Sequence, residues 1–117
     1  MSREMGQKYE DMIVAEMISL GWSIIHKNYC GGGGEIDIIG IRAKELCFVE
    51  VKGRSDSNCG EDSIFMSMSI RKQHALIGCS QHFLKQYEQD LDFEVCYFAL
   101  CGYIGDIFYW IENPFDE

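Results

Sequence analysis

Residues 34–54, GEIDIIGIRAKELCFVEVKGR, decide how the rest of the chain is read. Two runs in this stretch, 35–41 and 45–52, alternate as β-strands do. Ile36 and Ile38 share one face of the first, and Cys47, Val49 and Val51 share one face of the second. The connection at 42–45 is too short for anything but a hairpin. With the turn centred between Ala43 and Lys44, Asp37 falls opposite Glu50 and Glu35 opposite Lys52. Facing residues project from the same side of an antiparallel pair, with Cβ atoms about 4.5–5.5 Å apart. Alternation keeps Glu35 with Asp37 and Glu50 with Lys52. Three carboxylates and a lysine are therefore expected on one side of the sheet, with Ile36, Ile38, Val49 and Val51 filling the other.

Opposed carboxylates repel each other unless something positive lies between them. A hard divalent cation meets that need: Mg²⁺ takes oxygen ligands at about 2.0–2.1 Å and keeps several waters. It can polarise a phosphoryl oxygen and lower the pKa of a water. A lysine beside it can orient or deprotonate that water, or stabilise charge in the transition state. Asp-(x)n-Glu-x-Lys on a hairpin thus has the parts for phosphodiester hydrolysis. The same residues on an exposed face would form a cross-strand salt-bridge ladder, and geometry alone leaves both open.

Working outward, residues 3–20 carry Met5, Tyr9, Met12, Ile13, Met17 and Leu20 at helical spacing, and Gly21 stops the helix. Glu10 falls at the flank of the apolar arc beside Ile13, Val14 and Met17, and Glu16 falls inside it. An inward carboxylate is costly unless paired or bound; the alternative is that both reach past the edge to water. Residues 22–29 read as a first strand. The glycines at 31–34 lack the Lys-Ser/Thr of a phosphate-binding loop and read as a mobile loop beside the site. Residues 53–67 read as a loop. A second helix is expected over 69–89 with Leu76, Phe83, Leu84 and Tyr87 facing in. A closing hairpin follows, 93–101 and 106–111, turning around 102–105. The order is α-β-β-β-α-β-β. His26, His74 and His82 are scattered and read as surface residues.

A length of 117 residues fits one α/β domain over 1–117. The net charge of −9 weighs against tight nucleic-acid binding, but it is uneven. Residues 1–54 carry 7 Lys/Arg against 8 Asp/Glu, while 55–117 carry 3 against 11. The half that holds the candidate site is nearly neutral. Six cysteines without a C-x-x-C pair do not make a zinc ribbon, and Cys47 and Cys96 sit in apolar runs as buried thiols do. No apolar run reaches the roughly 18 residues of a membrane-spanning helix, and residues 1–9 are polar. The expectation is a cytoplasmic protein with reduced thiols and no membrane partner.

The sequence resembles the YraN family, small bacterial proteins related to archaeal Holliday-junction resolvases. Gly34-Glu35-Ile36-Asp37 and Phe48-Val49-Glu50-Val51-Lys52 with Arg54 match its two most specific motifs. Gly6, Glu10, Gly21-Trp22-Ser23-Ile24-Ile25, Asn28, Gly60, Lys72, Trp110-Ile111-Glu112-Asn113 and Phe115 match flanking positions. Cys30 stands where the family usually has a basic residue. The resemblance implies a restriction-endonuclease-like PD-(D/E)XK fold: an αβββαβ core whose central mixed sheet is flanked by helices. It implies that Asp37 and Glu50 are metal ligands with the Val51 carbonyl, that Lys52 is the catalytic lysine, and that Glu10 is a helix-borne acid near the site. Arg54 and Lys72 are expected along the path of a nucleic-acid backbone.

The leading expectation is a Mg²⁺- or Mn²⁺-dependent endonuclease acting on DNA in preference to RNA, on branched or damaged substrates. The alternatives are a nucleic-acid-binding protein without cleavage activity and an acidic module for a basic protein partner. A resolvase-like enzyme would need two sites related by symmetry, so a homodimer is part of the first expectation.

Overall fold

The computed structural model describes residues 3–55 and 68–115, with the side chains of 3–6 and 53–55 outside that description. The first helix, α1, spans Arg3–Ser19. Strands β1 (Ser23–Gly31), β2 (Gly34–Arg42) and β3 (Glu45–Ser55) follow, then helix α2 (Ile70–Tyr87), a 3₁₀ turn at Glu88–Asp90, β4 (Val95–Ile104) and β5 (Ile107–Glu112). The order is the expected α-β-β-β-α-β-β. The strands form one mixed sheet in the order β1-β2-β3-β4-β5, with only β3 and β4 parallel. A parallel pair needs a long crossover, which α2 supplies between β3 and β4.

Each helix covers its own hydrophobic cluster. Ile13 and Met17 of α1 pack with Trp22, Ile38, Cys47, Val49, Ala99 and Cys101. Leu76, Cys79 and Phe83 of α2 pack with Tyr29, Ile36, Ile39, Leu46, Phe48 and Leu100. Ile36 therefore does not share a face with Ile38. The alternation breaks between them where β1 carries Asn28 in the left-handed region, at φ 55°. The register there runs from Lys27↔Ile38 to Tyr29↔Ile36, so Asn28 stands across from Asp37.

Helix α1 ends in a Schellman motif: the Trp22 N–H donates to the Met17 carbonyl and the Gly21 N–H to that of Ile18, with Gly21 at φ 96°. Its buried stripe is narrower than expected, since Met12 and Leu20 are exposed. Helix α2 begins at an N-cap, Ser69, whose hydroxyl accepts the Lys72 N–H at 3.1 Å. Leu76 and Phe83 face in, Leu84 packs at the margin, and Tyr87 is exposed.

The glycine run is a packed hairpin tip and not a mobile loop. Gly32 and Gly33 turn the chain at φ 59° and 83°. A Cβ on Gly34 would stand 2.3 Å from the Ala75 carbonyl oxygen, and one on Gly32 would stand 2.5 Å from that of Gly78. The backbone of α2 rests on the backbone of the hairpin, which needs missing side chains. Three smaller expectations also change. His82 is half-buried, its Nδ1 2.6 Å from the Tyr29 hydroxyl. Cys96 is exposed, at the outer end of β4. The last hairpin turns at Gly105–Asp106, leaving Gly102 inside β4, where a Cβ would meet the Lys52 carbonyl at 2.6 Å.

Candidate active site

The β2–β3 ladder runs from Arg42↔Glu45 to Ile38↔Val49 and stops there. The expected turn holds, with Ala43 and Lys44 at φ 49° and 66°, the primed geometry of a two-residue hairpin. One step beyond the ladder, the Asp37 side chain takes the place of a backbone acceptor: the Val51 N–H donates to Asp37 Oδ2 at 2.8 Å. In a strand the N–H and C=O of one residue point to the same neighbour. The Val51 carbonyl therefore faces the same parting between β2 and β3.

Glu50 lies beside Asp37 in that parting and is only 7% exposed. The two carboxyls are within hydrogen-bonding reach once one carries a proton. As two carboxylates they are acceptors only, and the buried Glu50 Oε1 has no donor among the described residues. Burial first, then the charge of Glu50, push Asp37 up to about 8; the Val51 N–H pulls it down and the charge of Glu10 adds to the rise. Lys52 follows Glu50 by two residues, where the register of β3 against β4 shifts between Val51 and Arg54. The ammonium that reaches Glu50, however, is that of Lys72, whose Nζ lies 3.0 Å from Oε2. Burial lowers the Lys72 pKa, but the charge and hydrogen bond of Glu50, with the charges of Asp37 and Glu35, override that and raise it.

Glu10 does not reach past the edge to water. It is 7% exposed, in line with Ile13 and Met17 on the buried stripe of α1. Its Oε1 accepts from Asn28 Nδ2 at 3.0 Å. Burial raises its pKa, while the Asn28 donor and the charge of Lys27 draw it back. Glu35 does not join the buried group: it is exposed and takes the Cys30 thiol at 3.5 Å. The Arg54 side chain and Gly60 lie outside the described residues; the Arg54 backbone pairs with Tyr103 in the sheet.

Two residues of this arrangement were not singled out from sequence for the parts they play. Asn28 reaches Glu10 through a left-handed backbone, which no local pattern signals. Lys72 was expected at the nucleic-acid backbone, and its contact with Glu50 depends on where α2 docks. A faint signal existed in Ser69, a capping residue that fixes Lys72 in the first helical turn.

Among the described residues no three His, Cys, Asp or Glu side chains converge as a ready-made metal cage. Mg²⁺ does not require one, because it is commonly held by one or two carboxylates together with waters and substrate phosphates. A buried carboxylate oxygen without a donor among the described residues, a second carboxyl beside it and a carbonyl facing the same gap form an all-oxygen donor set that suits such a cation.

Fold and site together define an α/β domain in which a mixed five-stranded sheet between two helices presents a carboxylate pair, buried Glu50 and half-buried Asp37, at the point where two strands part. The chain belongs to the uncharacterised protein family UPF0102, the YraN family, which it matches over residues 9–98. It is 32% identical to a UPF0102 protein of Aeromonas hydrophila over 110 residues, covering 94% of this chain and 83% of the relative. It is 32% identical to one of Fusobacterium nucleatum (96% and 91% covered) and 35% identical to one of Sulfurihydrogenibium (94% and 92%). Among the described residues no helix is long and apolar enough to cross a membrane.

Proposed function

We propose that this chain is a PD-(D/E)XK-type, Mg²⁺- or Mn²⁺-dependent endonuclease that hydrolyses phosphodiester bonds in DNA. The observation that carries the reading is the Asp37–Glu50 pair, with one oxygen of buried Glu50 lacking a donor among the described residues. A buried carboxylate oxygen without a donor is costly even when the other oxygen is paired, and a divalent cation would satisfy it.

Asp37 and Glu50, with the Val51 carbonyl, would hold the cation. When bound, it would supply Lewis-acid activation of the phosphodiester. The chain's own groups do the rest. The Val51 N–H fixes the Asp37 carboxyl. Lys52, two residues beyond Glu50, would orient the attacking water or stabilise charge on the phosphoryl oxygens. Glu10, anchored by Asn28, adds negative potential from the helix side. Lys72 and Arg54 would meet flanking phosphates.

The test is a cleavage screen over single-stranded, duplex, flapped and four-way DNA, and RNA, with Mg²⁺ or Mn²⁺. Cleavage of a branched DNA that is lost in Asp37→Asn supports the proposal. A protein that cuts none of these with either metal refutes it. The net charge of −9 favours one second reading, an acidic module for a basic partner. That reading would stand if neither cleavage nor salt-dependent nucleic-acid binding is found.

A further inference from the structure

A cation in the first turn of a helix opposes the helix dipole, which favours acids there. Helix α2 has no acid in its first turn and places Lys72 at its third position, the N–H held by Ser69 and the Nζ on buried Glu50. The placement is not loose. The glycine hairpin seats the α2 backbone at Ala75 and Gly78, one to two turns further along. Lys72 is nonetheless partly open to solvent, 40% exposed against 8% for the Glu50 side chain. It can therefore swing away from Glu50, while Glu50 cannot follow.

We infer that Lys72 is a tethered stand-in for the divalent cation: its ammonium neutralises Glu50 in the metal-free protein and is released toward a nucleic-acid phosphate when a divalent ion takes Glu50. The inference rests on the cation site proposed above and adds what occupies it beforehand. Removing one partner of a buried ion pair leaves the other charge uncompensated. The ammonium keeps Glu50 tolerable without metal, yet by occupying one of its two oxygens it competes with an incoming ion. The released ammonium then becomes an additional phosphate contact, so divalent binding and nucleic-acid binding reinforce each other.

The experiment is calorimetric titration of Mn²⁺ alone into the metal-stripped full chain, for wild type, Lys72→Gln and Lys72→Arg, without nucleic acid. Lys72→Gln should bind Mn²⁺ on the order of tenfold more tightly than wild type, since a competing charge is gone, and Lys72→Arg should stay near wild type. In wild type itself, acetylation of Lys72 by an amine-reactive reagent, read by mass spectrometry, should rise several-fold on adding Mn²⁺, with exposed Lys85 as the reference. That measurement needs no variant to fold. Equal Mn²⁺ affinity in wild type and Lys72→Gln, or Lys72 acetylation indifferent to Mn²⁺, overturns this inference and leaves the cation site standing. No Mn²⁺ binding by either protein overturns both.

Discussion

Replacing Asp37 with asparagine should stabilise the metal-free protein at alkaline pH and do little at acid pH. Asp37 titrates near 8 in the fold against an ordinary value of 3.8. The folded chain therefore holds a proton there that the unfolded chain has lost. A carboxyl of this kind contributes most below the unfolded pKa, and its contribution is lost as pH rises through the folded one, at about 1.4 kcal/mol per pH unit for one proton. Between pH 5 and pH 8.5 that slope amounts to roughly 4 kcal/mol as an upper bound, and with Lys72 relaxing toward the pair about 2–3 kcal/mol is expected. Asparagine keeps an oxygen for the Val51 N–H and offers an amide N–H to Glu50 Oε1, which has no donor among the described residues. The assay is urea unfolding in EDTA and reductant at both pH values. A gain of about 2–3 kcal/mol at pH 8.5 that falls below about 1 kcal/mol at pH 5 is the expected pattern. A variant less stable than wild type at pH 8.5, or equally shifted at both pH values, would falsify the repulsive-pair account.

Lys52→Ala should lower cleavage by about 10²–10⁴-fold while leaving nucleic-acid affinity nearly intact; cleavage at wild-type rate would remove Lys52 from the chemistry. Gly34→Ala puts a Cβ 2.3 Å from the Ala75 carbonyl oxygen, and since neither backbone can yield cheaply it should cost about 3 kcal/mol, measured by denaturant unfolding. Asn28→Gly relieves the φ of 55° but removes the Glu10 donor, whereas Asn28→Ala loses the donor and keeps the strain. The alanine variant should therefore be the less stable of the two by about 1 kcal/mol, and the opposite order would show that the strain is not felt.

The central hairpin was legible because its determinants are local. Strict alternation and a two-residue connection fix the register from Arg42↔Glu45 to Ile38↔Val49, and with it the meeting of Asp37 and Glu50. What failed was extrapolation past the point where the strands part. Glu35 was carried onto the site by alternation, but the break at Asn28 re-aims that end of β2, and Ile36 turns to the other cluster for the same reason. The inward Glu10 was half legible: its place on the helical wheel was right, and only the docking of α1 settles that it is buried. Lys72 was assigned to phosphate because nothing in sequence separates a surface lysine from one that folds back 22 positions to Glu50. The glycine run misled most, since the composition that loosens a loop also permits two backbones to touch.

The bond from Val51 N–H to Asp37 Oδ2 makes one backbone amide a resident probe of the site. Most sheet amides are held by carbonyls, whose charge does not change. This one is held by a carboxyl, so its ¹⁵N resonance and its rate of hydrogen exchange should follow the state of Asp37. A single peak, in the unmodified protein, would then record protonation, cation arrival and substrate engagement as separate displacements, without a dye, a label on a side chain or a turnover event.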